Sequence, residues 1–143
     1  PSRSFYQREL RGLLERLQAV PKRAICTLPP LGEDPSSAVN QMVASFNEDI
    51  RELAVEFGFE VLPLNKNLTD LIAARNSPPD RDYLPGRDRL TAIFSALVGR
   101  YWLRRSWDDI GARRGLVMTP DYIHLGERAG GILEGLVEDF IVG

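Results

Sequence analysis

Histidine and cysteine each occur once in these 143 residues, as His124 and Cys26. A lone cysteine excludes an internal disulfide framework, and one histidine with one cysteine cannot assemble a His/Cys-rich metal cluster. No metal is therefore expected, and no cofactor either, since the chain has no glycine-rich loop that would cradle a phosphate. No run reaches the roughly 18 apolar residues a membrane-spanning helix needs, and the opening PSRSFYQREL lacks the apolar core of a signal peptide. An excess of one charge is missing too. Eighteen basic against 20 acidic residues leave a net charge of −2, which is no footprint for nucleic acid. A reduced, cytoplasmic compartment fits the single thiol, and an upstream targeting segment would lie outside this sequence.

What is present describes a globular chain of one domain's length, 43% apolar and 27% charged. Tyr6, Leu10, Leu13, Leu17 and Val20 recur at three- and four-residue steps, predicting an amphipathic helix over 5–20 that Pro21 closes. Arg23–Leu28 is a short apolar run ended by Pro29-Pro30, a buried strand feeding a loop. Asp34-Pro35 reads as an N-cap with proline at the first helical position. The helix it would open carries the stripe Val39, Val43, Phe46, Ile50, Leu53 and Phe57, with Gly58 at the left-handed capping position. Phe59–Leu64, broken by Pro63, is a second strand. Strand, helix, strand predicts a right-handed parallel crossover with ligand groups gathering at the strands' carboxyl ends.

Asn67–Arg75 reads as a short helix, and 77–86 as a proline-punctuated loop. Leu90–Leu103 is a further amphipathic helix ending in arginines, which suit a helix C-terminus. With Trp102, Trp107 and those arginines it fits a substrate lid, a membrane-surface element, or simply a helix packed on the core. Ser106-Trp-Asp-Asp109 resembles a capping box for a brief helix that stops at Gly115, and 116–118 is a short extended segment. The closing helix bears a broad apolar face from Leu125 to Ile141 that should be buried. Gly130-Gly131 inside it predicts close backbone approach to a neighbour. Cys26, mid-strand, reads as a small core residue.

The chemistry converges on Asp121-Tyr-Ile-His124. A carboxylate, two spacers and an imidazole ahead of a helix can pair Asp121 with one ring nitrogen and leave the other for a substrate, the base half of a nucleophilic triad. On spacing alone a structural His–Asp hydrogen bond at a helix start is the commoner arrangement. Thr27, Pro29 and Pro30, at a strand's carboxyl end, are candidates to line a substrate pocket, with a plain turn as the alternative.

Ile25-Cys-Thr-Leu-Pro-Pro30, the helix ending in Glu56-Phe-Gly58, the Val61-Leu-Pro63 strand and Asp121-Tyr-Ile-His-Leu125 with its glycine-containing final helix resemble the C-terminal part of an SGNH hydrolase, the GDSL-type esterase and lipase family. The resemblance implies a three-layer α/β/α flavodoxin-like fold, here its C-terminal half, with two short parallel strands and five or six helices. Residues 1–143 would then be the C-terminal part of a single domain, with a helical insertion at about 77–118. It also implies that His124 is the general base, that Asp121 orients it, and that Thr27, Pro29, Pro30 and Tyr122 contact an ester substrate. The family commonly carries glycine where this chain has Tyr122, and asparagine where it has Gly126, which offers no side-chain N-cap.

The family's Gly-Asp-Ser block, with its nucleophile, and its Gly-x-Asn-Asp block do not occur here. None of the eight serines stands in a Gly-x-Ser-x-Gly elbow or three residues before a lysine. The expected function is thus part of a serine ester hydrolase, supplying the Asp–His half of the triad and inactive without the rest. Its expected partners are the missing N-terminal half of the domain or a second copy of the chain in a homodimer. A non-catalytic interaction module that oligomerises through an open sheet edge is the competing reading.

Overall fold

A computed structural model describes residues 2–75 and 87–143, so the 77–86 loop lies outside the described residues. The chain is mixed α/β, with six helices and a two-stranded parallel sheet among those residues. Helix α1 (Arg3–Leu17) starts on Ser2, whose hydroxyl accepts the Phe5 N–H, satisfying one of the orphan donors of the first turn. Leu10 and Leu14 are its buried residues, not Leu13 and Leu17, which are exposed. Tyr6, Leu10 and Leu14 form a single i, i+4 ridge, and that ridge faces the long helix α2 (Ala38–Phe57).

Helix α2 differs from expectation at one end and agrees at the other. Its N-cap is Ser37, whose hydroxyl accepts the Asn40 N–H, and not Asp34. Asp34 instead accepts the Ser36 N–H and hydroxyl, a local turn that competes with capping and delays the helix by three residues. Gly58 closes the helix at φ 69°, ψ 39°, a conformation that strains any residue with a Cβ.

Strands β1 (Ala24–Cys26) and β2 (Glu60–Leu62) run parallel, in the register Ala24–Glu60, Ile25–Val61, Cys26–Leu62. Their alternation sends side chains to two separate cores. Ile25 and Val61 pack against Leu10, Leu14, Ile50, Leu53 and Phe57 of α1 and α2, whereas Cys26 packs into a cluster of Leu64, Leu68, Ile72, Met118 and Ala129. Full burial of a side chain such as Leu14, Ile50 or Leu68 is worth about 1.5–3 kcal/mol each, far above the about 1 kcal/mol of a cap, so the two clusters decide where the helices lie. Burial also raises the Cys26 thiol pKa, in keeping with a core residue rather than a reactive thiolate.

Helix α3 (Leu64–Ala73) begins directly after Pro63, three residues earlier than its sequence pattern indicates. Helices α4 (Arg87–Tyr101) and α5 (Trp107–Ala112) follow, the latter capped by the Ser106 hydroxyl on the Asp109 N–H as expected. Residues 116–118 form no strand. Helix α6 (Glu127–Val142) buries only Ala129 fully, while Ile132, Leu133 and Leu136 lean on α3 and Val137 and Ile141 are exposed. A Cβ at Gly130 or Gly131 would meet nothing within 4 Å, so these glycines do not serve close helix packing among the described residues.

Candidate functional site

The loop that carries Asp121 and His124 is held by a chain of polar contacts that starts in α2. Asn40 and Asn47 lie seven residues apart, on the face that also carries Val43 and Ile50, and both reach the β1–α2 loop. Asn47 accepts from the Leu28 N–H at 2.6 Å and donates to its carbonyl at 3.1 Å. Asn40 accepts from Leu31 N–H and donates to the carbonyls of Leu31 and Asp34. Asn65, at the start of α3, donates to the Leu28 carbonyl from the other side. Residues 28–34 are thereby fixed without any regular secondary structure, their part-buried polar groups paired with side-chain amides in place of a ladder.

Glu33 extends from this clamped loop into the protein. Its carboxylate is fully buried and accepts the backbone N–H groups of Val117, Met118 and Thr119 at 2.7–3.1 Å. Arg75 at the end of α3 balances the charge at 3.2 Å. Three consecutive amides turned onto one carboxylate explain why 116–118 is no strand: the donors a sheet would use point at Glu33. Gly32 N–H adds a bond to the Tyr122 carbonyl at 3.0 Å, so the two loops are joined on both sides of the Asp121 position.

Within that frame Asp121 is buried and uses both oxygens. Oδ1 accepts the N–H groups of Ile123 (3.2 Å) and His124 (2.9 Å), and Oδ2 meets His124 Nδ1 at 2.7 Å. The backbone bonds fix the carboxylate, and the carboxylate fixes the imidazole ring through Nδ1, leaving Nε2 on the side away from it. Nε2 has no protein partner among the described residues, and the His124 side chain is 68% exposed. Tyr122 between them adopts φ 74°, a left-handed conformation that costs a non-glycine residue about 1–2 kcal/mol. Its buried side chain holds it there.

A cavity of about 340 Å³ opens beside the imidazole. Its walls are Ile93, Ala96 and Leu97 of α4, Trp107 of α5, and Pro120 and Leu125 of the loop, with Asp121 and His124 at one end. Arg114 braces this wall to the loop, contacting the Ser95 hydroxyl on α4 and donating to the Pro120 carbonyl at 2.7 Å. Arg100 lies over the Trp107 ring at 5.6 Å. At the far side Gly126 leaves room for Asp108, whose carboxylate accepts the Arg128 N–H and caps α6 from α5. A Cβ on Gly126 would sit 2.5 Å from Asp108 Oδ1, so the missing side-chain cap is supplied in trans.

The sequence candidates divide accordingly. Asp121 and His124 are in direct contact. Thr27, Pro29, Pro30 and Tyr122 contribute no wall to this cavity among the described residues. Thr27 is buried, and its hydroxyl accepts the Asn65 N–H at 2.8 Å, which gives α3 the N-terminal cap that Pro63 cannot provide. Glu33, Arg75, Asn40, Asn47 and Arg114 were not legible as site residues. Two asparagines on the apolar stripe of α2 were the available signal, while Glu33 had none.

Every described serine has a structural engagement elsewhere, in caps (Ser2, Ser37, Ser106), turns (Ser36, Ser45) or side-chain contacts (Ser4, Ser95), and none hydrogen-bonds to His124. No group of three or more metal-ligating side chains occurs among the described residues. No family model, curated protein or solved structure matches the chain.

Proposed function

We propose that Asp121 and His124 are the orienting acid and the general base of an acyl-ester hydrolase, built on a three-layer α/β/α flavodoxin-like fold of the SGNH kind. The observation that carries the reading is the 2.7 Å Asp121–His124 contact, with both Asp121 oxygens engaged and Nε2 left open beside a cavity. Helices against both faces of the parallel strands support the fold. A serine from outside this chain attacks the ester carbonyl while His124 Nε2 takes its proton. Donors from the same source hold the oxyanion, and His124 passes the proton to the leaving alcohol as the ester C–O bond breaks; it then takes a proton from the attacking water and returns it to the serine as the acid is released. Asp121 stabilises the imidazolium and its tautomer without itself taking the proton.

The serine and the oxyanion donors come from an N-terminal half-domain, since a second copy of the chain would cover the open sheet edge but bring only the same eight serines. Two three-residue strands with no second neighbour among the described residues are a small sheet for an α/β core, which favours completion by further strands. Chromogenic short-chain ester assays on the chain alone, and on the chain joined to its upstream region, test this. The chain alone is expected to be inactive. In the completed protein, His124→Ala should lower kcat by about 10⁴-fold or more. Hydrolysis that survives His124→Ala would remove the triad reading.

A second reading, a non-catalytic module that associates through the open sheet edge, draws on the same unpartnered strands. Native mass measurement separates the two when combined with the assay: assembly with no His124-dependent hydrolysis in any combination would favour it.

A further inference from the structure

Resting on that reading, we propose that the cavity beside His124 binds a linear apolar acyl chain, so that the substrate is a medium-chain acyl ester and not an acetylated sugar. At ~30 Å³ per water-sized group, 340 Å³ holds about eleven non-hydrogen atoms, the size of a carboxyl group carrying about eight carbons. This is the small end of ligand pockets, too large for an acetyl group and too small for a long fatty chain to be enclosed.

The lining decides the chemistry. Ile93, Ala96, Leu97, Pro120 and Leu125 offer no side-chain hydrogen-bond donor or acceptor, and Trp107 offers a single indole N–H. Asp121 already spends three of its roughly four acceptor positions on Ile123 and His124, so it offers a polyol little. A polyol in this space would leave its hydroxyls unpaired, which is the contrast that hydroxyl-binding sites exploit in reverse. An alkyl chain loses nothing there, and its carboxyl group finds the polar part of the lining at His124. Ala96 is the gauge of the space, since it is 2% exposed on a helix whose neighbouring wall positions carry isoleucine and leucine. The Arg114 contacts with Ser95 and the Pro120 carbonyl tie the α4 wall to the loop that carries the imidazole.

Binding is testable without catalysis, because His124 is the chain's single histidine and its ring protons give unique resonances. Titration of the full chain with sodium octanoate, followed by NMR, should shift the His124 ring and the Ala96 and Leu125 methyl signals saturably, whereas sodium acetate should not. Leu97→Asp, at a position 43% exposed and so tolerated by the fold, should weaken octanoate binding about tenfold by placing a charge against the alkyl chain. Ala96→Phe should abolish binding by filling the space, with the amide spectrum as the check on folding.

In the completed enzyme, Leu97→Asp should lower the ratio of kcat/KM for p-nitrophenyl octanoate over p-nitrophenyl acetate. Equal responses to octanoate and acetate, or octanoate affinity unchanged in Leu97→Asp, would overturn the proposal. His124-dependent hydrolysis with no octanoate preference would discard the acyl pocket and leave the triad standing. Saturable octanoate binding with hydrolysis indifferent to His124→Ala would do the reverse.

Discussion

Glu33→Gln is the substitution that most directly examines how the His124 loop is built. The side chain keeps its shape and volume but loses the charge, and its amide presents two N–H groups where three backbone N–H groups converge. Oε1 accepts from Val117, Met118 and Thr119 while Oε2 faces Val117 N–H and Arg75, so the amide nitrogen, whichever of the two places it takes, turns its N–H groups onto a buried backbone donor or onto the Arg75 guanidinium. Arg75, 16% exposed, loses its counter-charge in the same step. An unsatisfied buried donor costs about 1–3 kcal/mol, and breaking a buried pair by removing one member costs about 3–5 kcal/mol. These overlap because they share one carboxylate, so about 3 kcal/mol is expected for Glu33→Gln and somewhat more for Glu33→Ala.

Against a total stability of about 5–15 kcal/mol that loss is large, and urea denaturation would read it as a lower midpoint at unchanged slope. Hydrogen exchange gives the local reading: the amides of residues 117–119 should lose protection first, and the His124 ring resonances should broaden as the loop loosens. A loss below about 1 kcal/mol, with those amides still protected, would refute the claim that Glu33 anchors the site.

Tyr122 sets two effects against each other. Tyr122→Ala forfeits about 3–5 kcal/mol of aromatic burial and keeps the left-handed strain, whereas Tyr122→Gly forfeits the burial but recovers about 1–2 kcal/mol. Both variants should be less stable than the parent, with glycine the better of the two, the opposite of the usual order; thermal melting decides it. Asp49 accepts from Arg3 at 2.6–3.0 Å and from Gln7 at 2.7 Å, and the Arg3 bonds, ahead of any other influence, hold its pKa below the ordinary value. A depressed folded-state pKa stabilises above the unfolded value of about 3.9 and is lost as the pH falls through the folded one. The gap in melting temperature between the parent and Asp49→Asn should therefore be constant above about pH 5 and close below about pH 4, and a gap that persists in acid would contradict the assignment. Asp108→Ala removes the cap of α6 and should cost about 1 kcal/mol, readable as faster exchange of the Arg128 amide.

Local physics accounts for what could be read from the chain. The 3.6-residue recurrence of Val43, Ile50, Leu53 and Phe57 located α2, and Gly58 marked its end, because a left-handed cap admits little else. Short apolar runs with β-branched members located both strands. Starts were less legible: Asp34 looked the better cap, but its carboxylate is spent on Ser36, and Ser37 takes the role two residues from Pro35. The closing helix read as buried because its apolar face is broad, yet burial depends on what stands opposite, and α3 covers only part of it.

The candidate site divides along the same line. An i, i+3 spacing is short enough that the chain itself dictates the Asp121–His124 bond, so the pair was legible without a fold. Everything that makes it a site came from distant sequence: Glu33 reaches residues more than eighty positions away, and Arg114 ties α4 to Pro120. The cavity is walled by α4, α5 and the 120–125 loop, segments whose individual patterns were legible but whose meeting was not. The sequence by itself determined most of the elements and the Asp121–His124 contact, because helix periodicity, caps and a four-residue loop are set by neighbours along the chain. Only the tertiary structure decided which loop holds that pair rigid and what surface the free nitrogen faces, because buried carboxylates and cavity walls depend on contacts whose sequence separation carries no local signature.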